Sequence, residues 1–405
     1  MSSRLLLSNI GQLVTNTGPA GQADESLGLL RSHALLIEGD TIVWVGPQDD
    51  PAVESARAAG IAEVSIEGQV VMPGFVDSHT HLIHAGDRSD EFRRRMSGEP
   101  YAPAGIWDTV RATRNATDEQ LVSDLSHRVR QAELTGTTTI EIKTGYGLDV
   151  ATEARLAALA ATMTDQVTFL GAHLIPPEFD GRGDDYVDLV VGEMLDAIGP
   201  YARFIDVFCE RGAFSEDQSR RVLRAGVERG LIPTLHASQL DYGGGVAIAQ
   251  GVDAVSISHA TFLTDADVEQ LAGSNTVVTL LPGTEFATRQ PYPDARRLTD
   301  AGVKVAIASN CNPGSGYSSS MPLMIALAVR EMGMTPADAL YSATKVGAQA
   351  LALSNRGVIA PGMRADLIHL DAPDYSYLAY RPGVPIIARV IRSGTVIVDH
   401  TGSGE

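Results

Sequence analysis

The sequence predicts an α/β fold: a (β/α)8, TIM-like barrel with a small β-sandwich domain built from both chain ends. Three observations predict it. Between residues 70 and 308, eight short apolar segments alternate with helical ones, the pattern of a parallel sheet, and eight is the number that closes such a barrel. Both chain ends read instead as short strands. The chain has 405 residues with 44% apolar composition, enough for one large barrel plus a smaller appendage. The expected division puts residues 1–72 and 354–405 in the small domain and 73–353 in the barrel.

The elements follow in order. Leu5 to Ile10 reads as a strand, and the run from Ala34 to Gly46 reads as two more, with Gly39-Asp40 as the hairpin turn between them. The eight barrel strands are expected at 70–76, 138–143, 167–172, 204–208, 233–236, 254–258, 276–281 and 304–308. Among the intervening helices, Thr117 with Gln120 forms a capping box ahead of Leu121, Leu125, Val129 and Leu134 at near-helical spacing. Another helix runs over 215–230, with Gly230 as its stop. The segment 318–333 is helical and apolar on most faces, fitting either the barrel core or a subunit interface. Strands at 364–370 and 388–398, the latter turning at Ser393-Gly394, bring the C-terminal end back to the N-terminal one.

Composition narrows the function classes. With 31 Lys and Arg against 50 Asp and Glu, the net charge is -19, which argues against nucleic acid as a partner. An arginine near a site becomes notable in that acidic field, because it can draw in a small anion. Cys209 and Cys311 are the only cysteines, and they form no Cys-x-x-Cys pair. They read as packed thiols in a reducing, cytoplasmic setting. Leu5-Leu6-Leu7 is too short for a signal or spanning segment, and no stretch approaches about 20 apolar residues, so no membrane association is expected.

Barrel enzymes place their chemistry at the C-terminal ends of the strands. The expected strand ends here carry His79 and His81, Lys143 and Tyr146, His173, Glu210, His236, His259, and Asn310 with Asn312, so five of the ten histidines share one rim. A strand has a side-chain period of two, so His79 and His81 point to the same face and can share a divalent metal. His79, His81 and His236 suffice to hold Zn²⁺ or Fe²⁺ while leaving a position for water. Such a metal lowers the pKa of its water from about 15.7 towards 7. His259 is the candidate for proton transfer or for supporting a ligand from behind.

These residues sit in recognisable motifs: Pro73-Gly74-Phe75-Val76-Asp77-Ser78-His79-Thr80-His81, Gly86-Asp87-Arg88, Lys143-Thr144-Gly145-Tyr146-Gly147, Gly171-Ala172-His173 with Pro176-Pro177-Glu178, Leu280-Leu281-Pro282-Gly283-Thr284, and Asn312-Pro313-Gly314-Ser315. Through them nearly the whole chain resembles the amidohydrolase superfamily and, within it, the imidazolonepropionases of histidine degradation. His79-Thr80-His81 points only to the superfamily, whereas Lys-Thr-Gly-Tyr-Gly and Asn-Pro-Gly-Ser are far more particular.

The resemblance implies hydrolytic ring opening of 4-imidazolone-5-propanoate to N-formimidoyl-L-glutamate, one Zn²⁺ or Fe²⁺/Fe³⁺ per subunit, and a homodimer. It further implies metal ligands His79, His81 and His236, with a fourth from the position of Asn310. The implied substrate pocket comprises Arg88, Tyr101, Tyr146, His173, Gln239, Asn312, Gly314 and Ser315. The chemistry of the residues agrees. A guanidinium fork suits the propionate carboxylate. Tyr146 and His173 are donors for a ring carbonyl or developing oxyanion, and glycine at 314 lets backbone approach a ligand closely. Lys143 reads as one half of a structural ion pair with Glu141 or another carboxylate.

The sequence departs from the family pattern at two positions. Where the family's last barrel strand ends in an Asp that touches the metal and takes a proton, this chain has Asn310; an amide oxygen can ligate but cannot accept a proton as a carboxylate does. Metal affinity and rate are expected to fall, general acid–base groups contributing about 10²–10⁴-fold. Gln239 stands where many members carry Glu, which shifts weight to His259. Two other readings stay open: a hydrolase of a related carboxylate-bearing ring, and a non-catalytic binder of a small anionic heterocycle.

Overall fold

The computed structural model describes residues 4–19, 23–98 and 105–401. The N-terminal part supplies strands β1 (Arg4–Leu13), β2 (Leu30–Glu38), β3 (Thr41–Pro47), β4 (Ala62–Ser65) and β5 (Val70–Pro73), followed by β6 (Phe75–Asp77) and β7 (Thr137–Ile140). Then come β8 (Ile142–Lys143), β9 (Val167–Ala172), β10 (Phe204–Cys209), β11 (Ile232–Ala237), β12 (Ser256–His259), β13 (Val277–Leu280) and β14 (Val305–Ile307). The last three are β15 (Leu367–Leu370), β16 (Ile387–Arg392) and β17 (Thr395–Asp399). The chain divides into two compact units, one of residues 1–77, 131–139 and 320–405, the other of 78–130 and 140–319.

In the first unit both chain ends meet in one mixed sheet, ordered β17-β16-β15-β5-β1-β2-β3 with β4 beside β1. Alternation explains its two faces. Leu7, Leu35, Ile37, Val71, Leu367 and Ile391 pack together on one, while Leu6 and Ala34 pack on the other with Val53 and Ala56. The latter two belong to helix Pro51–Ala58, which starts with Pro51 behind an Asp50 cap that accepts from Ala52 N at 2.8 Å. The two-residue turns expected at 39–40 and 393–394 both join paired strands, Glu38 facing Thr41 and Arg392 facing Thr395. Helix Met321–Glu331, within the expected 318–333, buries Met321, Met324, Ile325 and Ala328.

One expected strand is different. The segment 70–76 is two strands, because the backbone changes sheets at Gly74. Gly74 N donates to Asp366 O at 2.9 Å, whereas the next amide, Phe75 N, donates to Gly136 O at 3.1 Å. The β5 half therefore joins the sheet of the chain ends, and β6 pairs with β7.

The second unit carries a run of seven strands in chain order, β8 to β14. Every ladder in it is parallel. Helices lie between successive strands, as in a TIM-like barrel. Helix Glu216–Glu228 shows how locally encoded these are: Ser215 and Gln218 form a reciprocal capping box, and Gly230 follows the end at φ +82°. Segment 78–81 lies between the two extremes of the run. Asn310 N donates to His79 O and His81 N to Cys311 O, each at 3.0 Å, and Lys143 N donates to Thr80 O at 3.0 Å. Among the described residues no helix is long and apolar enough to cross a membrane.

Candidate active site

The rim residues converge as the strand periodicity requires. His79 and His81 project to one side of their extended segment and Thr80 to the other, where its N and Oγ1 donate to Glu141 Oε2 and Glu141 O at 2.9 and 2.5 Å. The His79 ring lies 4.4 Å from that of His236 and 6.0 Å from that of His259; His81 lies 5.5 Å from His236 and stacks on His173 at 5.3 Å. Ligand atoms of His79, His236 and His259 all lie within 4.8 Å of one another, and His81 Nε2 is 3.4 Å from His236 Nε2.

The proton arrangement follows from the partners behind each ring. His236 Nδ1 faces Asp206 Oδ1 at 2.9 Å, which fixes a hydrogen on Nδ1 and turns Nε2 towards the other rings. Asp206 also accepts from His236 N at 3.2 Å and pairs with Lys143 Nζ at 2.9 Å. Lys143 donates in turn to Glu141 Oε1 at 3.0 Å, the ion pair the sequence suggested, extended by a second carboxylate. Burial would raise the Asp206 carboxyl, but His236 and Lys143 outweigh it and hold it below the usual carboxylate range. On the far side, His79 Nδ1 lies 2.9 Å from Ser258 Oγ. Burial, then the nearby Lys143 ammonium, pushes His79 well below the usual histidine range. Burial does the same to His81 and His259, and moves His173 down to about 4. Imidazoles that stay neutral are the form that ligates metal.

Among the described residues, His79 Nε2, His81 Nδ1, His259 Nδ1 and Asn310 Oδ1 are buried here without a hydrogen-bond partner. Unpaired buried acceptors cost free energy unless something occupies the space between them. A divalent cation fits this donor set, imidazole nitrogens plus one amide oxygen. Asn310 is itself held, at φ +49°, by Nδ2 donating to Thr284 Oγ1 at 2.8 Å, which turns its oxygen away from that hydroxyl.

These groups open onto a cleft lined by His81, Arg88, Ile106, Tyr146, His173, Leu174, Phe208, His236, Gln239, His259, Asn310, Asn312 and Ser315. Most expected pocket residues are therefore brought together, and Tyr101 lies outside the described residues. Three take on roles the sequence did not display. Arg88, its side chain only 7% exposed, already gives Nε and Nη2 to the two oxygens of Glu91 at 2.7 and 2.9 Å. Asn312 spends its amide inside its own loop. Its Oδ1 accepts from Gly314 N and Ser315 N at 2.9 and 2.8 Å, and Nδ2 donates to Asn310 O at 2.6 Å. A Cβ on Gly314 would fall 2.4 Å from Arg88 Nη1, so only glycine lets the guanidinium lie there.

Sequence reasoning missed Asp206 and Glu91. Asp206 had a signal: an acidic residue inside an apolar strand must be paired when buried. Glu91 had none beyond its place three residues after Arg88.

Comparisons with known proteins place these features in context. The sequence profile of the Amidohydrolase family matches residues 223–398. Imidazolonepropionase of Streptomyces coelicolor is 54% identical over 395 residues, covering 97% of this chain and 99% of that one. Imidazolonepropionase of Salinispora arenicola is 54% identical over 394 residues, covering 97% and 98%. Among solved structures, atrazine chlorohydrolase from Arthrobacter aurescens complexed with zinc superimposes with a TM-score of 0.72 at 17% identity, covering 98% of this chain and 95% of that one.

Proposed function

The chain belongs to the imidazolonepropionase family, within the amidohydrolases, and on that premise we propose that it opens the ring of 4-imidazolone-5-propanoate with water, giving N-formimidoyl-L-glutamate in histidine degradation. The observation that carries the reading is the set of buried neutral imidazoles with orphaned lone pairs beside a cleft that an arginine borders.

In this reading His79, His81 and His236 hold one Zn²⁺ or Fe²⁺/Fe³⁺, with Asn310 Oδ1 as the fourth protein ligand. A cation there supplies Lewis acidity, polarising a carbonyl and bringing the pKa of water from about 15.7 towards 7. Asp206 orients His236 through its Nδ1. The water oxygen bonds to the ring carbonyl carbon, the carbonyl C–N bond breaks, and the departing nitrogen takes up a proton. Because Asn310 and Gln239 are amides, His259 is the group that accepts the water's proton and returns it to that nitrogen. Tyr146 donates to the carbonyl oxygen as charge develops on it, and His173, its one hydrogen given from Nδ1 to Gly145 O, offers Nε2 as an acceptor to a ring N–H. Gln239 hydrogen-bonds ring nitrogen, Arg88 attracts the propionate, and Tyr101 is a further substrate-binding residue. Asn312 shapes the loop that presents Gly314 and Ser315.

The same reading extends to architecture. The chain folds as a (β/α)8 barrel over 73–353, with 1–72 and 354–405 as a small β-sandwich domain. The enzyme is a cytoplasmic homodimer. Ring opening, followed as loss of the substrate's ultraviolet absorbance, tests the function in the metal-loaded chain beside Asn310→Asp. Turnover by the chain, rising within the range of about 10²–10⁴-fold in the variant, supports the reading. Absence of turnover in both overturns it.

A further inference from the structure

We propose that Glu153 is a positioning residue for this reaction, fixing Tyr146 and His173 together through the loop 143–148; the inference rests on the function proposed above and adds to it a residue outside the cleft. Helix Val150–Ala160 starts from Asp149, whose side chain accepts from Thr152 N at 2.8 Å. One residue further, Glu153 turns inward and is fully buried. Its Oε1 accepts from Gly145 N, Gly147 N and Leu148 N at 3.1, 2.6 and 2.9 Å, and its Oε2 accepts from Gly145 N at 3.0 Å. A buried carboxylate needs such compensation, and converging backbone amides provide it.

The loop needs the carboxylate as well. Gly145 has φ +106° and Leu148 φ +55°, the latter a left-handed conformation that an L-residue enters only at a cost. A Cβ at 145 would lie 2.7 Å from Leu170 O, so the turn sits tight against β9. Tyr146 is the residue between the two glycines whose amides Glu153 holds. The carbonyl of Gly145 lies 3.0 Å from His173 Nδ1 and so also sets that ring. From outside, Arg114 Nε donates to Gly147 O at 2.7 Å. One buried side chain thus anchors the turn that places both Tyr146 and His173 at the cleft.

Glutamine at 153 keeps an oxygen for Gly147 and Leu148 but turns an NH₂ towards the Gly145 amide, donor against donor. Glu153→Gln is therefore expected to lower kcat/KM by about 10–100-fold, the usual effect of losing a partner behind a functional group. Bound metal should be unchanged. The effect should run through Tyr146 and His173 together, so the loss caused by Glu153→Gln in the Tyr146→Phe background is expected to be smaller than in the native chain. Additive losses, or a native rate in Glu153→Gln, would overturn the proposal. Amide exchange at residues 145, 147 and 148 reads the same claim without turnover: faster exchange in Glu153→Gln supports it and retained protection refutes it. An inactive native chain would instead overturn the function reading, and the exchange result would still decide the anchoring.

Discussion

Replacing Glu285 by glutamine should stabilise the protein at alkaline pH and do little at mildly acidic pH. Glu285 lies on helix Pro282–Thr288, 2% exposed. Its Oε1 accepts from Thr261 Oγ1 at 3.3 Å, and its Oε2 has no hydrogen-bond partner among the described residues. Burial is the largest influence on this carboxyl and pushes it from 4.5 up to about 7. A raised carboxyl binds its proton more tightly in the folded state than in the unfolded one. Stability from this group is therefore complete below pH 4.5 and declines as pH rises towards 7. At about 1.36 kcal/mol per unit, the ionised form costs about 3 kcal/mol at pH 8 and under about 1 kcal/mol at pH 5. Glutamine keeps the oxygen for Thr261 and does not titrate. Unfolding of a 405-residue chain carries a large entropy, so the relative gain of Glu285→Gln between those pH values should appear as about 3 °C in the thermal midpoint. Paired calorimetric scans at pH 5 and pH 8 measure it. Equal shifts at both pH values, or a loss at pH 8 alone, would refute the reasoning.

Two further outcomes follow from the same geometry. Lys143→Met leaves Glu141 and Asp206 buried without their shared cation, and should cost about 3–5 kcal/mol in urea unfolding; a change below about 1 kcal/mol would contradict the pairing. Arg88→Lys cannot reproduce the two-point contact with Glu91 or present a planar fork to a carboxylate, so KM should rise at least about tenfold with kcat nearly kept; a fall in kcat at constant KM would place Arg88 in the chemistry instead.

Much of the site was legible because it depends on local periodicity. A strand period of two put His79 and His81 on one face, and the alternation of strand and helix put the other histidines at neighbouring strand ends. What the sequence hid depends on partners far along the chain. The expected strand 138–143 is broken at Glu141, because its first half pairs with β6 and its second with β9. Nothing local says that a strand will change neighbours midway. The single strand expected at 70–76 overlooked Pro73-Gly74 as a break, and nothing local says that its first half belongs to the other sheet. Arg88 read as an open fork because exposure cannot be seen in sequence, and only the folded helix Ser89–Met96 brings Glu91 onto it. Asn312 looked like a ligand-facing amide, although the turn that absorbs its hydrogen bonds is written in the Pro-Gly-Ser after it.

The most direct test of the account titrates metal-free chain with Zn²⁺ or Fe²⁺ while bound metal and ring opening of 4-imidazolone-5-propanoate are followed together. The account predicts that turnover rises in proportion to bound metal, saturates at one ion per chain, and disappears with tight binding in His236→Ala. Turnover by the metal-free chain, or one tightly bound ion that His236→Ala leaves in place, would contradict it.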